Sequence, residues 1–390
     1  MRKLHTIPLT VALTTSAASA ATVGLTFDAV RLSPADAQFI AISGQAHAVA
    51  AEGFAAGQVL DINAAGPNEI ATRFDASGNP TRLGVPPGVV TVGSSINAVI
   101  GDGSSAGFVN TQGGGLRAAR WDAQGNGTVL GDATLPSFRN GLRGSTALDL
   151  NGNGTVIGNS VANAGGTSFA TAWDTQGNAT LLGGVSGEAF NESFARGIND
   201  SGQIVGSVQS AAGGADQAVR WDTTGSATRL GDVAGLPTDG DSRANAINAS
   251  GISVGRVGTS GFAQTDFAVL WDAVGVGTRL ADVQGDITFT SEALDIADNG
   301  AAVGKALLAS NPFGEEVIFW DADGTAHLLE DLLSADFAGY DIRSVHGIDS
   351  NGQFIRSLVT ATTPLGNTEF LLLSAPIPEP LSVLAGGTAI

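Results

Sequence analysis

The chain of 390 residues contains no cysteine, one methionine, one tyrosine and four histidines. Without cysteine there is no disulfide staple, no thiolate metal site and no cysteine nucleophile. His5, His47, His327 and His346 are too scattered for an HExxH zinc motif or a histidine-rich metal cluster. Basic residues are scarce as well: 18 Lys and Arg stand against 37 Asp and Glu, for a formal net charge of −19. Nucleic-acid binding needs basic surface to neutralise phosphates, so that class is excluded. No segment carries a helical period over a helical length. Neither a G-x-S-x-G nor a Ser-His-Asp pattern is present. What the chain has in quantity is glycine, 55 residues, in a sequence that is 43% hydrophobic and therefore too apolar for a disordered acidic polymer.

A repeat of about 49 residues runs through it. Trp121, Trp173, Trp221, Trp271 and Trp320 are each followed by Asp, at spacings of 52, 48, 50 and 49, and Phe74-Asp75 extends the series 47 residues upstream. Glycine recurs four residues after each aromatic and leucine nine after, giving the phrase W-D-x-x-G-x-x-T-x-L. Asp opens a turn and Gly supplies its positive-φ residue, so the phrase reads as a β-hairpin. A second phrase, A-x-x-I-N-x-x-G-x-x-V-G, alternates with the first and is clearest at 195–206 and 244–255. Its apolar anchors are Val49, Ile100, Leu150, Ile198, Ile247, Ile296 and Ile348. The copy at Ile100 is one residue short, and the last copy has Arg356 where the final glycine belongs.

Two hairpins make four strands per repeat, the arithmetic of a β-propeller blade. There are seven I-N hairpins but six W-D hairpins. The shortfall is matched by a lone strand at each end, about Leu25–Leu32 and Thr368–Leu373. The expectation is an all-β, seven-bladed propeller of 28 antiparallel strands over residues 22–374, its last blade closed by the N- and C-terminal strands. Closure removes the sheet edges that an open array would leave exposed.

The alternating phrases, best matched at 173–182 and 195–206, resemble the extracellular HAF-repeat proteins. The resemblance covers about residues 43–358 and implies a secreted repeat protein; the family brings no catalytic residues to carry over. The ends read as addresses. Arg2 and Lys3, an apolar run from Ile7 to Leu13, and Ala18-Ser19-Ala20 form the layout of a signal peptide over residues 1–20. Its removal takes the net charge from −19 to −21. Export without cysteine suits a bacterial envelope. At the other end, Pro378-Glu379-Pro380 followed by apolar and small residues resembles the PEP-CTERM sorting signal, so residues 375–390 read as a sorting segment. That resemblance implies an exosortase-type system, transient membrane anchorage and a final place at the cell surface or outside it. The segment departs from the pattern: ten residues follow Pro380 and no Arg cluster appears, whereas a span needs about twenty apolar residues.

The aromatic row (Phe74, Trp121, Trp173, Trp221, Trp271, Trp320) is expected to pack between blades, since it recurs at one structural position; the alternative is a sugar-stacking platform. The Asp after each aromatic is expected to cap its turn. Asp149-Leu-Asn151-Gly-Asn153-Gly154 reads as the opening of a calcium loop, but Ser160 stands where the twelfth-position Glu belongs, and the segment is also a copy of the I-N turn. With antiparallel strands both tight turns fall on one face of the disc and the long connections on the other. The long connections carry Asp132, Glu188, Glu192, Asp232, Asp239, Asp241, Asp282, Asp286, Glu330, Asp331, Asp336 and Asp341. Loops on a rigid scaffold commonly carry recognition, so that face is the expected working face. Asp232, Asp239, Asp241, Asp282 and Asp286 are the candidate ligands for weakly bound calcium there; no other cofactor is expected.

Repetition without a unique reactive constellation points to a non-enzymatic interaction module, monomeric, with an exopolysaccharide, matrix component or surface protein as partner. The alternative is a glycan-active lyase or glycosidase on the same ring, because fold does not decide function. A unique pair of buried, facing carboxylates with a nearby Arg on the long-loop face would favour the enzyme.

Overall fold

The computed structural model describes residues 5–12, 22–32 and 39–376, apart from short connecting segments at 51, 62–67, 113–114, 134–141, 163–165, 212–213, 237–239, 260–264, 285, 287, 334–336, 338 and 352. Seven antiparallel sheets stand in a ring. Blade 1 is Phe39–Val49, Ala55–Asp61, Asn68–Phe74 and Pro80–Arg82; blade 2 is Thr91–Val99, Ser105–Thr111, Gly115–Trp121 and Gly127–Val129. Blade 3 is Leu142–Leu150, Val156–Ala162, Ser168–Trp173 and Ala179–Leu181; blade 4 is Phe190–Ile198, Ile204–Ser210, Asp216–Trp221 and Ala227–Arg229. Blade 5 is Ser242–Ile247, Ser253–Gly258, Asp266–Trp271 and Gly277–Arg279; blade 6 is Thr288–Ile296, Ala302–Leu308, Glu316–Trp320 and Ala326–Leu328. A 3-10 turn, Glu330–Leu332, follows the last strand of blade 6.

Blade 7 is built from both ends of the chain. Asp341–Ser350, Phe354–Thr362 and Thr368–Pro376 are followed by Thr22–Leu32, which pairs antiparallel with the C-terminal strand from Asp28 opposite Ser374 to Leu32 opposite Phe370. The first strand of blade 7 lies against that of blade 1, and the ring is closed. His5–Ala12 adds a fifth strand outside Thr22–Leu32 in the same sheet.

The two phrases form the two turns that repeat in most blades. In each W-D turn the Gly N–H donates to the Asp carbonyl, as Gly225 does to Asp222 at 2.9 Å, and that glycine sits at φ +79. In the I-N turn Gly202 N donates to Asn199 O at 2.9 Å with φ +77. The final glycine of the phrase has a different cause. The first strand of every blade carries a β-bulge, and in blade 4 a Cβ on Gly206 would lie 1.8 Å from the Phe194 carbonyl of the bulged strand.

Two irregularities of the sequence pattern resolve here. In blade 2, Gly103 N donates to Ile100 O, so Ile100 is the first turn residue and Val99 is the anchor; the hairpin has normal length. In blade 7, Ile348 pairs with Ser357, and the hairpin continues through Asp349 opposite Arg356 to Ser350 opposite Ile355. This hairpin is longer than the others, so Arg356 belongs to its tip and Val359, opposite Val345, holds the position that glycine holds elsewhere.

The core lies between blades. Trp221 packs with Ile157, Ala170 and Leu182 of the preceding blade, and Trp121 with Ala56, Ala71 and Leu83 of blade 1. Each Trp is at most 2% exposed, and Phe74 is 7% exposed. Each indole N–H finds a carbonyl on the preceding blade's exit: Trp121 on Gly84, Trp173 on Gly131, Trp221 on Gly183, Trp271 on Gly231 and Trp320 on Ala281, at 2.6–2.9 Å. Buried indoles need such a partner, and here the partner ties neighbouring blades.

Candidate functional site at the mouth of the central channel

The first strands of all seven blades line the axis, so their I-N turns crowd around one opening. A cavity of about 510 Å³ lies there. Asparagine at the first turn position links blade to blade: Asn151 Nδ2 donates to Asn199 O, Asn199 Nδ2 to Asn248 O, and Asn248 Nδ2 to Ala297 O, at 3.0–3.3 Å. The next position repeats the device in reverse. Asp200 accepts from Gly152 N at 2.7 Å, Asp298 from Ala249 N at 2.8 Å, and Ser350 Oγ from Asn299 N at 3.1 Å. Glu52, Asp102 and Asp349 complete an acidic rim.

Just inside the rim, the residue before the anchor is Ala48, Ala98, Asp149, Gly197, Ala246, Asp295 and Gly347 in blades 1 to 7. Two aspartates thus stand where the other blades have Ala or Gly. Each spans a blade joint. Asp149 accepts from Leu150 N at 2.8 Å and from Ile198 N of blade 4 at 2.9 Å. Asp295 accepts from Ile296 N at 2.9 Å and from Ile348 N of blade 7 at 2.8 Å. Burial pushes both carboxyls up to about 7 against the pull of those hydrogen bonds, with Asp349 adding repulsion to each.

One step deeper lies the bulge residue of each first strand, and Asn97, Leu148, Arg196, Asn245, Leu294 and His346 line a second cavity of about 200 Å³. It shares Val49, Val99, Asp149 and Asp295 with the outer cavity, so the two meet at the aspartates. Asn97 Nδ2 donates to Ala147 O at 2.7 Å and Asn245 Nδ2 to Ala293 O at 2.8 Å, which holds both amides in place. Arg243 and Asn245 close on the buried Glu292 carboxylate at 2.7–2.9 Å.

The face expected from the sequence to carry recognition is not the one on which these cavities lie. The described cavities open among the tight turns. The long connections that leave the outer strands have four of their carboxylates in ion pairs: Asp132 with Arg117, Glu188 with Arg229, Asp282 with Arg279, and Asp341 with Arg343. Of the calcium candidates, Asp241 accepts from Asp216 N at 2.9 Å, Asp282 is held by Arg279 at 2.7 Å, and Asp286 bonds Ser310. Asp232 is exposed. Among the described residues no three Asp, Glu, His or Cys side chains converge to hold a metal. Asp239 and Asp336, the Ala18-Ser19-Ala20 site and Pro378-Glu379-Pro380 lie outside the described residues.

The Asp after each aromatic caps its turn: Asp122 accepts from Gln124 N at 3.0 Å and Asn126 N at 2.8 Å, and Asp174 repeats the geometry. The side-chain amides of Asn126 and Asn178, followed by these backbone bonds, hold Asp122 and Asp174 below the ordinary carboxylate range. Asn151 of the D-x-N-x-N-G segment closes its own turn, its Oδ1 accepting from Thr155 N at 3.0 Å, while its amide reaches blade 4. Two devices escaped the sequence reading. Ser94, Ser145, Ser193, Ser242 and Ser291 each accept, at 2.9–3.0 Å, a third-strand N–H of the preceding blade, and S-x-A before the anchor was the signal for the last four, Ser94 lying in Ser94-Ser95-Ile96. Arg220, just before Trp221, reaches the blade 5 turns, donating to Ala273 O at 2.7 Å and Gly251 O at 2.8 Å.

No family model and no curated protein matches the chain. Solved structures show a distant similarity. An oligogalacturonate lyase from Vibrio parahaemolyticus is 12% identical over 97% of this chain and 98% of that one, with a TM-score of 0.47. A Dyadobacter fermentans protein of unknown function is 11% identical over 90% and 98%, with a TM-score of 0.40. A subtype N11 neuraminidase-like protein from a flat-faced bat influenza virus is 12% identical over 96% and 98%, with a TM-score of 0.36. At such identities and TM-scores neither fold nor activity is taken from the likeness.

Proposed function

We propose that the chain is a secreted, non-enzymatic propeller that acts as a cell-surface or extracellular-matrix interaction module, taking an exopolysaccharide or surface ligand at the tight-turn mouth. The signal-peptide layout, the HAF-like repeats and the Pro-Glu-Pro segment support export and exosortase-type sorting. The observation that carries the binding reading is the rim itself. Its backbone is fixed by blade-to-blade bonds from Asn151, Asn199 and Asn248, and it opens a polar cavity of about 510 Å³ on the axis. A preformed concave site with fixed polar groups is what ligand binding requires.

A second reading, a glycan-active enzyme, is favoured by one observation. Asp149 and Asp295 are unmatched in the other blades and share a cavity with Arg196. The environments of the two argue the other way. An acid–base pair needs its two pKa values pushed apart, whereas equivalent surroundings raise both carboxyls to about 7. Both also spend their oxygens on blade-joining N–H groups.

Screening the purified chain against a panel of polysaccharides, for binding and for turnover, tests the two readings together. Binding without turnover, lost in a mouth-filling Ala249→Trp variant, is expected. Turnover abolished by Asp149→Asn or Asp295→Asn would put the enzyme in its place.

A further inference from the structure

We propose that the inner chamber of the channel binds a small hydroxylated carboxylate, of the size and chemistry of a single uronic acid, with Arg196 holding its carboxylate group. The proposal rests on reading the channel as a ligand-holding space, and adds the class of ligand.

Arg196 is the bulge residue of blade 4, so its side chain belongs to the ring that lines the inner cavity. Among the described residues no hydrogen bond and no ion pair closes on its guanidinium, and its Nε is buried without a partner. The Phe194 ring lies 5.9 Å away. The neighbouring charges are already committed. Arg243 closes on Glu292 at 2.7 Å, and Arg256 pairs with Asp266. Glu292 and Asp216 act on Arg196 through space, while Arg243 and Arg256 repel it, and burial is the largest influence pushing its pKa down. A desolvated cation without a contacting anion is costly, and an incoming oxyanion relieves that cost through the paired donors of the guanidinium.

The rest of the chamber narrows the class. Asn97 and Asn245, fixed to neighbouring blades, offer neutral hydrogen-bonding groups at the level of Arg196. Asp149 and Asp295 stand one level above, and each oxygen keeps one lone pair beyond its backbone bond for a hydroxyl. A volume of about 200 Å³ holds one small ligand, below the roughly 300–1,000 Å³ of drug-sized sites. One unpaired guanidinium matches one negative charge. A phosphate lacks the ring hydroxyls that would meet Asn97, Asn245 and the two aspartates, so it leaves those groups without partners. Entry is from the tight-turn face, because the two cavities meet.

Isothermal titration calorimetry on the full chain tests this, with D-glucuronate and D-galacturonate as probes, and D-glucose, D-galactose and inorganic phosphate as comparisons. At pH 6 Asp149 and Asp295 are mostly protonated, which removes their repulsion. Saturable uronate binding is expected, at least tenfold tighter than either neutral sugar or phosphate. Arg196→Gln should weaken it at least tenfold, and Arg229→Gln, on an outer strand, should leave it unchanged. Uronates binding no better than neutral sugars, phosphate binding as tightly, or Arg196→Gln binding like the parent would each overturn the proposal. Should Arg196→Gln fail to fold, amide NMR shifts of the unmodified protein decide: uronate must move Asn97, Arg196 and Asn245, and shifts confined elsewhere refute it. A chain that captures polysaccharide at the mouth yet ignores uronates loses this inference and keeps the mouth reading.

Discussion

Raising the pH from 5 to 8 is expected to destabilise the folded chain, with Asp149 and Asp295 responsible for most of the loss. Both carboxyls sit at about 7 in the ring against an ordinary 3.8. A raised folded pKa means that the folded state holds more protons than the unfolded state between those values. Stability is therefore fully present below the ordinary value and falls as pH rises through 7. At about 1.4 kcal/mol per pH unit, the part of the shift crossed between pH 5 and 8 amounts to about 2–3 kcal/mol per carboxyl. The two interact with each other and with Asp349, so the sum falls short of twice that figure. The turn aspartates do not confuse the window. Asp122, Asp174 and Asp222 are held low by their turn hydrogen bonds, so their contribution is lost only as pH falls below the ordinary carboxylate range. Urea unfolding at pH 5, 6, 7 and 8 measures the slope for the parent, for Asp149→Asn, for Asp295→Asn and for the double variant. Each Asn should cost about 1 kcal/mol at pH 5, since an amide nitrogen cannot accept the N–H that the second oxygen took. Each should also remove about half of the slope, so that the variants match or exceed the parent at pH 8. Stability that is flat or rising from pH 5 to 8, or a double variant with the parent's slope, would refute the reasoning.

The remaining expectations concern the blade joints. Trp221→Ala should cost about 3–5 kcal/mol in urea unfolding, as for emptying any large buried aromatic site; a variant that keeps its stability but loses a glycan ligand would mean that the row is a platform. Ser193→Ala leaves the Ala170 N–H unpaired inside the joint of blades 3 and 4, a loss of about 1–3 kcal/mol that unfolding at neutral pH measures. Deleting Leu25–Leu32 strips the strand paired with 370–374 and bares the edge of blade 7; light scattering should show aggregation, or calorimetry a loss of cooperative unfolding, and a monomer with unchanged melting would count against closure.

The ring was legible because the features that define it are local and repeated. Asp and Gly at fixed offsets specify a turn from chemistry within five residues, and an unequal count of two hairpin types forces the ends to meet. Irregular copies were harder. Reading Ile100 as an anchor rested on residue type alone; only the bond from Gly103 N to Ile100 O shows that Val99 holds the anchor position and Ile100 opens the turn. The same limit hid the serine and arginine bonds between blades. Their donors and acceptors lie 23 to 53 residues apart, and their geometry exists only once the blades stand side by side.

The site was hidden for a related reason. Averaging the repeats draws attention to the positions that recur, and those are structural: Trp between blades, Asp in turns, Gly under the bulge. Specific chemistry on a pseudo-symmetric ring has to come from positions that face the axis and do not recur. Aligning the seven first strands on the bulge makes those positions visible, as Asp149 and Asp295 against Ala or Gly, and Arg196 against Asn, Leu or His. The long connections drew attention because they vary and are acidic, but variation on an outer strand is cheap and its charges find Arg partners nearby. At the axis the strands converge and side chains are buried, and there an unpaired charge or a raised carboxyl carries a real cost. A non-recurring polar residue placed there at that cost is the better place to look for specific chemistry.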